Sequence, residues 1–221
     1  MRKKSIILVA VCFVLTVFMC SASAFNRVDL QKLRKTGNCP GGDLSFADLS
    51  FANLSDANLS EANLYKADLT DTNLLRANLT EANLTKAILV SANLSDANLF
   101  NAKLLEANLF HANLYNANLS TAKLNGAKLG NTHLFLANLS HAHLIRADLS
   151  YADLRRADLS YADLSQANLS YTDLSYADLR FADLRCTDLE GVNLNNAIIR
   201  DAEFDRGEKN SGADFSNEKI I

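Results

Sequence analysis

Tryptophan is absent from this 221-residue chain, proline occurs once (Pro40), and there are only eight glycines. Each scarcity excludes something. A β-sandwich or α/β enzyme of this length needs frequent Gly and Pro to punctuate its turns, and the breakers here sit near the ends or singly. One uninterrupted architecture must therefore run through the middle. A Gly-rich phosphate loop and a G-x-S-x-G nucleophile elbow are missing, which removes two common marks of nucleotide handling and serine hydrolysis. Basic residues are outnumbered by acidic ones, 22 Lys and Arg against 25 Asp and Glu. The formal net charge is −3, and without Arg2, Lys3 and Lys4 the remainder carries −6. That balance favours solubility and lacks the basic face a nucleic-acid partner requires.

The long hydrophobic run is confined to the start. Arg2, Lys3 and Lys4 precede an apolar stretch from Ile6 to Met19 broken only by Thr16, and Ala22-Ser23-Ala24 supplies an A-x-A site. This three-part pattern predicts a secretory signal peptide over residues 1–24, cleaved after Ala24. The apolar stretch is short of the ~20 residues that span a bilayer, so no membrane span is expected after cleavage. Val17-Phe18-Met19 before Cys20 lacks the small residues of a lipobox. The expected location is periplasmic or extracellular, or the thylakoid lumen in a cyanobacterial cell.

Of four cysteines, Cys12 and Cys20 leave with the leader, while Cys39 and Cys186 enter a compartment that permits disulfides.

What the chain has in abundance is a repeat. From Leu44 to Phe204 a large apolar residue returns every five positions, 33 times, and 31 of these are Leu. Two residues before each stands a small residue, Ala in 27 cases, and the residue between is Asp or Asn in 25. The unit is A-(D/N)-L-x-x. On a helix, five residues rotate about 500°, which spreads the leucines over all faces; on a strand, an odd period throws them alternately to opposite sides. Burying every Leu requires a turn in every pentapeptide, and repetition of this kind means a solenoid.

The unit resembles that of the pentapeptide-repeat family over residues 43–204. The resemblance implies an all-β solenoid, a right-handed quadrilateral β-helix in which four pentapeptides make one 20-residue coil. Leu and the Ala two before it would point inward, and the other three positions outward. The repeats would then give about eight coils and, at ~4.8 Å per coil, a rod roughly 40 Å long. Cys186 would lie about seven coils from Cys39, ~34 Å away by the same spacing, whereas a disulfide needs Cα atoms within ~7 Å.

Ends of a solenoid need covering. Phe25 to Lys35, with Val28, Leu30 and Leu33 among charges, predicts a short amphipathic helix over the first coil, and residues 25–42 form an N-terminal cap of helix and entry turn. The run Thr36 to Leu44 resembles the entry of exported family members, which often carry a second Cys where this chain has Gly42. The repeat domain covers 43–206. Residues 207–221 read as a loop and a degenerate closing repeat, with Ala213-Asp214-Phe215 one residue out of frame.

A packed convex rod offers no pocket in which to exclude water, so no enzyme activity, catalytic residue or cofactor is expected. His141 and His143 fall on different sides of a corner, and His111 and His133 on other faces; three convergent ligands for a metal are not expected. Function falls to the outer columns of residues 20 apart. Lys103, Lys123 and His143 stack in one column. Apolar residues follow Leu in the middle coils, among them Phe110 and Phe135, and Tyr151 should stack with Tyr171 and Tyr161 with Phe181. These residues form the candidate interaction surface, for a protein partner or for self-association through an end or the aromatic face. Asp148 to Asp188 crowd the later repeats, and Arg146, Arg155, Arg156, Arg180 and Arg185 are placed to neutralise them. The expected role is an exported, non-catalytic interaction scaffold. The alternative implied by the resemblance is a DNA-mimicking protein that interacts with gyrase, as quinolone-resistance members do.

Overall fold

The computed structural model describes residues 26–205, so the leader (1–24) and the closing segment (207–221) lie outside the described residues. Every pentapeptide turns once, and every coil closes after four of them. The register is explicit: Asp43 bridges Asn63 in parallel, Asn63 bridges Asn83, and the same 20-residue step repeats on all four sides up to Glu203. The result is a four-sided stack. Between turns so few residues are extended that pairing stays at single residues, except where β1 (Asp183–Leu184) pairs in parallel with β2 (Glu203–Phe204).

Hydrogen bonding explains why five residues suffice. In the first unit Leu44 N–H donates to Asn63 O (2.8 Å) and Phe46 N–H to Tyr65 O (2.8 Å), while Asn63 N–H returns to Gly42 O (2.9 Å). Ala47 N–H donates to Leu44 O (3.1 Å) and closes the turn. The second turn residue, two after Leu, has positive φ wherever it is among the described residues: Phe46 at 59°, Glu61 at 59°, Tyr161 at 60°. This is the type II pattern, which favours glycine at that place. Here 30 non-glycine residues adopt positive φ, and only Gly126 and Gly191 provide the unstrained version within the repeats.

The interior is the predicted column. Leu59 through Leu179 in the repeat register are fully buried, as are most of the paired alanines. Fully burying one Leu contributes about 1.5–3 kcal/mol, and the narrow stack favours a small residue, mostly Ala, beside it. Where Thr replaces Ala, its hydroxyl finds a backbone acceptor. Thr72 donates to Leu49 O and Thr172 to Leu149 O, both at 2.8 Å, and Thr132 to Leu129 O at 2.7 Å.

Helix α1 spans Arg27–Thr36, slightly later than the pattern suggested. Asn26 sets its start by accepting the Val28 N–H (3.0 Å), and Gly37 ends it at φ 72° with its N–H on Leu33 O. Leu30 and Leu33 join the core cluster of the solenoid. Val28, expected on the same apolar face, is instead 70% exposed. Helix and coil are tied by Asn26 N–H to Asp43 O (3.1 Å) and Asp43 N–H to the Asp29 carboxylate (3.0 Å).

Cys39 is a free thiol buried in the entry turn, and Cys186 is a free thiol exposed on a late coil. Burial, then the neighbouring Asp29 charge, push the Cys39 thiol up. Gly42 is required there because a Cβ would stand 2.1 Å from the Cys39 sulfur.

Candidate interaction surface

Four of the five N–H groups in a unit are paired along the backbone. The fifth, on the residue after Leu, is left over. The Asp or Asn before Leu takes it: Ser45 N–H donates to Asp43 Oδ1 (3.1 Å), Ser60 N–H to Asn58 Oδ1 (3.1 Å), Ser175 N–H to Asp173 Oδ1 (2.9 Å). All 25 Asp and Asn residues at this position do the same. This is an Asx turn. Ser or Thr after Leu adds its hydroxyl to the same oxygen, as Ser50 does on Asp48 (2.6 Å) and Thr80 on Asn78 (2.6 Å). Asn adds a further link by donating its amide to the oxygen one coil back, as Asn83 does to Asn63 (3.0 Å).

Lys103, Lys123, Lys128, His133 and His143 interrupt this arrangement in the middle coils. The expected column is present: Lys103 bridges Lys123, and Lys123 bridges His143. An ammonium has donors only, so the N–H groups of Leu105, Asn125 and Gly130 lose the acceptor that other repeats supply. The Phe110 ring packs against Gly130, where a Cβ would stand 3.3 Å from it. Ile145 N–H is recovered by Asn125 Oδ1 (3.3 Å), one coil back.

The aromatic columns occupy the turn corners of the later coils. Tyr151 and Tyr171 stack at 5.0 Å and 10°, and Tyr161 and Phe181 at 4.8 Å and 11°. His141 extends the second ladder upward, stacked on Tyr161 at 4.8 Å and 6°. It is no partner of His143; the 20-residue step 141–161–181 was the available signal for this. Sequence reasoning also missed a third ladder, in which Tyr115 stacks on Phe135 (6.0 Å) and Arg155 lies over Phe135 (5.3 Å). Phe110 stands apart, edge-on to His111 at 4.2 Å. Because ring faces cover one another along the rod, the ladders present edges outward. Tyr151, Tyr161 and Tyr171 remain about half exposed (59, 52 and 48%). At the ladder's end Tyr171 donates its hydroxyl to Glu190 (2.7 Å), which pushes the phenol up, and its ring lies across Gly191.

Neutralisation of the acidic repeats is local. Arg155 pairs with Asp153 (2.7 Å), Arg180 with Asp178, and Arg185 with both Asp183 and Glu203. The Arg155 and Arg185 guanidinium groups hold Asp153 and Asp183 below the usual carboxylate range. At Asp178 partial burial works against the charge, and the Arg180 hydrogen bonds outweigh it. Two of the five arginines contact other groups. Arg146 reaches the Gln166 side-chain oxygen (2.9 Å), and Arg156 lies over the Tyr176 ring (5.6 Å), because the residue one coil on from each is Gln or Tyr.

Among the described residues no group of three His, Cys, Asp or Glu is placed to hold a metal ion, and no helix is long and apolar enough to cross a membrane.

Comparison with known proteins matches the chain to pentapeptide repeats in overlapping blocks running from residue 43 to residue 206. No curated protein matches it. Among solved structures it is similar to HetL, a pentapeptide repeat protein involved in heterocyst differentiation regulation from the cyanobacterium Nostoc sp. strain PCC 7120. Identity is 31%, with 89% of this chain and 95% of HetL covered and a TM-score of 0.63. It is also similar to QnrB1, a plasmid-mediated fluoroquinolone resistance protein, at 17% identity over 72% of this chain and 86% of that one, with a TM-score of 0.64. The second likeness is one of fold alone. Pentapeptide-repeat proteins form right-handed quadrilateral β-helices, and the 20-residue register has that form.

Proposed function

The chain belongs to the pentapeptide-repeat family, and on that premise we propose that it is an exported, non-catalytic scaffold whose outer aromatic corners meet a protein partner or a second copy of the chain. The carrying observation is the half-exposed tyrosine ladder Tyr151–Tyr171, with Tyr161–Phe181 on another corner. Stacked aromatics stabilise neighbouring strands by about 0.2–1 kcal/mol per pair, yet leave a contiguous apolar surface of the kind that marks contacts. In finer detail the rod has about eight coils, and α1 closes its first one through Leu30 and Leu33. Family members are generally non-catalytic scaffolds. The leader pattern supports export to the periplasm or beyond.

The test is purification from periplasm and culture medium, followed by light scattering on a sizing column and identification of co-purifying protein. A mature N-terminus at Phe25 and a complex or dimer lost on Tyr151→Ser/Tyr171→Ser substitution are expected. A strictly monomeric, unaccompanied protein with an intact leader would sink the proposal. Gyrase interaction ranks lower, because Lys103, Lys123 and Lys128 interrupt any acidic face; protection of gyrase from a quinolone in a supercoiling assay would reverse that order.

A further inference from the structure

In all 25 repeats with Asp or Asn before Leu, a side-chain oxygen sits on the outward N–H two residues on. Oxygen is thus what this niche binds. On one side of the rod, two consecutive coils have a lysine there instead. Asn83 still accepts Thr85 N–H (3.2 Å) above them, and Ile145 N–H is taken by Asn125 Oδ1 below. Between those limits the N–H groups of Leu105 and Asn125 have no acceptor among the described residues. Lys103 and Lys123, bridged to each other by backbone pairing, are exposed and make no ion pair among the described residues.

We propose that Lys103 and Lys123, with the N–H groups of Leu105 and Asn125, form a binding site for a tetrahedral oxyanion, a phosphate or sulfate group. Successive coils lie ~4.8 Å apart, so one such group spans two levels and accepts an N–H from each. Its double negative charge matches two ammonium groups, and hydrogen bonds assisted by charge are the strong ones. The flanking corner carries no side chain of its own at Gly126 (φ 67°), and the place of a Cβ there is bordered by Glu106 Cγ at 3.6 Å. The carboxylate on that corner, Glu106, is engaged by Lys86 at 3.3 Å. On the opposite corner the Thr121 hydroxyl is buried without a hydrogen-bond partner, two residues before Lys123. The site does not depend on what the aromatic corners meet.

The experiment is a titration of the folded protein with inorganic phosphate at constant ionic strength, followed by amide nuclear magnetic resonance. Saturating shifts confined to the Leu105 and Asn125 amides and their neighbours are expected. Lys103→Asn/Lys123→Asn restores an oxygen to each niche at positions where other repeats carry Asn. It should keep the fold and weaken phosphate by about tenfold or more, the scale of losing a charge-assisted contact. Lys123→Asn alone, read at the Asn125 amide, serves if the double variant does not fold. Lys128→Asn, on another side, should leave the affinity unchanged. A parallel titration with inorganic sulfate identifies the source: saturation by one anion alone names a phosphate-bearing or a sulfate-bearing ligand, and saturation by both supports the shared chemistry. Non-saturating shifts spread over all surface amides, or saturation undiminished by the Asn substitutions, would overturn the site.

Discussion

The middle coils (103–143) and the later coils (148–188) share one core and differ in almost everything outside it. In both, the inward leucines are buried to the same degree. Each region has nine positions between Ala and Leu. In the later coils all nine are Asp or Asn, and in the middle coils five are Lys or His. The later coils therefore satisfy their fifth N–H everywhere and add Arg–Asp pairs, while the middle coils leave several uncapped under positive charge. Register and coil shape do not change between them. The comparison teaches that inward Leu and Ala, with the inter-coil ladder, hold the fold, and that Asx capping is a separate contribution that can be given up where the surface has other use.

Removing core should therefore cost the same in both regions. Leu124→Ala and Leu164→Ala are each expected to lose about 2–5 kcal/mol, measured by thermal or denaturant unfolding; a large disparity would show that capping also governs the core. Next in size is Gly191→Ala, which puts a Cβ 2.6 Å from the Tyr171 ring at a φ of 65°. It should cost roughly 1–3 kcal/mol, and Tyr171→Ala in the same chain should recover the steric part but not the backbone part.

Capping itself is tested by exchange between the regions. Lys128→Asn should stabilise by about 0.5–1.5 kcal/mol, the net value of a hydrogen bond, since the Gly130 N–H gains the side-chain acceptor that other repeats supply. Asp158→Ala should destabilise by a similar ~1 kcal/mol through the loss of its Ser160 contacts.

The smallest effect is in acid. Asp153, Asp178 and Asp183 have pKa values lowered in the folded state, so their contribution is complete above the ordinary carboxylate pKa of about 4 and disappears as pH falls through the lower folded values. Hydrogen exchange below that pH should show protection falling further in the later coils than in the middle ones. Arg155→Gln should flatten the dependence around Asp153.

Much of this was legible in advance. A period of five forced the inward leucines, and residues 20 apart, once four units per coil were taken from the family resemblance, placed Tyr151 over Tyr171 and Lys103 over Lys123. His141 was legible by the same 20-residue step, which sets it over Tyr161, while the ring-on-ring geometry at 4.8 Å and 6° belongs to the stacked coil. Arg146 and Arg156 show what interleaving leaves out: nearness to Asp in sequence does not choose a partner, whereas the 20-residue step leads to Gln166 and Tyr176.

By itself, the sequence determined the repeat unit, the residues of the core and the need for one turn in every five, because burying each Leu admits no straight element. Only the tertiary structure decided how that turn is made. Thirty residues as unlike as Phe46, Glu81, Lys86 and His111 all adopt positive φ, a conformation that costs a non-glycine residue about 1–3 kcal/mol and that none of their identities announces. They hold it because the turn closes Ala N–H onto Leu O and sends the next N–H to the neighbouring coil. The stack of buried leucines and inter-coil hydrogen bonds repeats at every level and outweighs the strain.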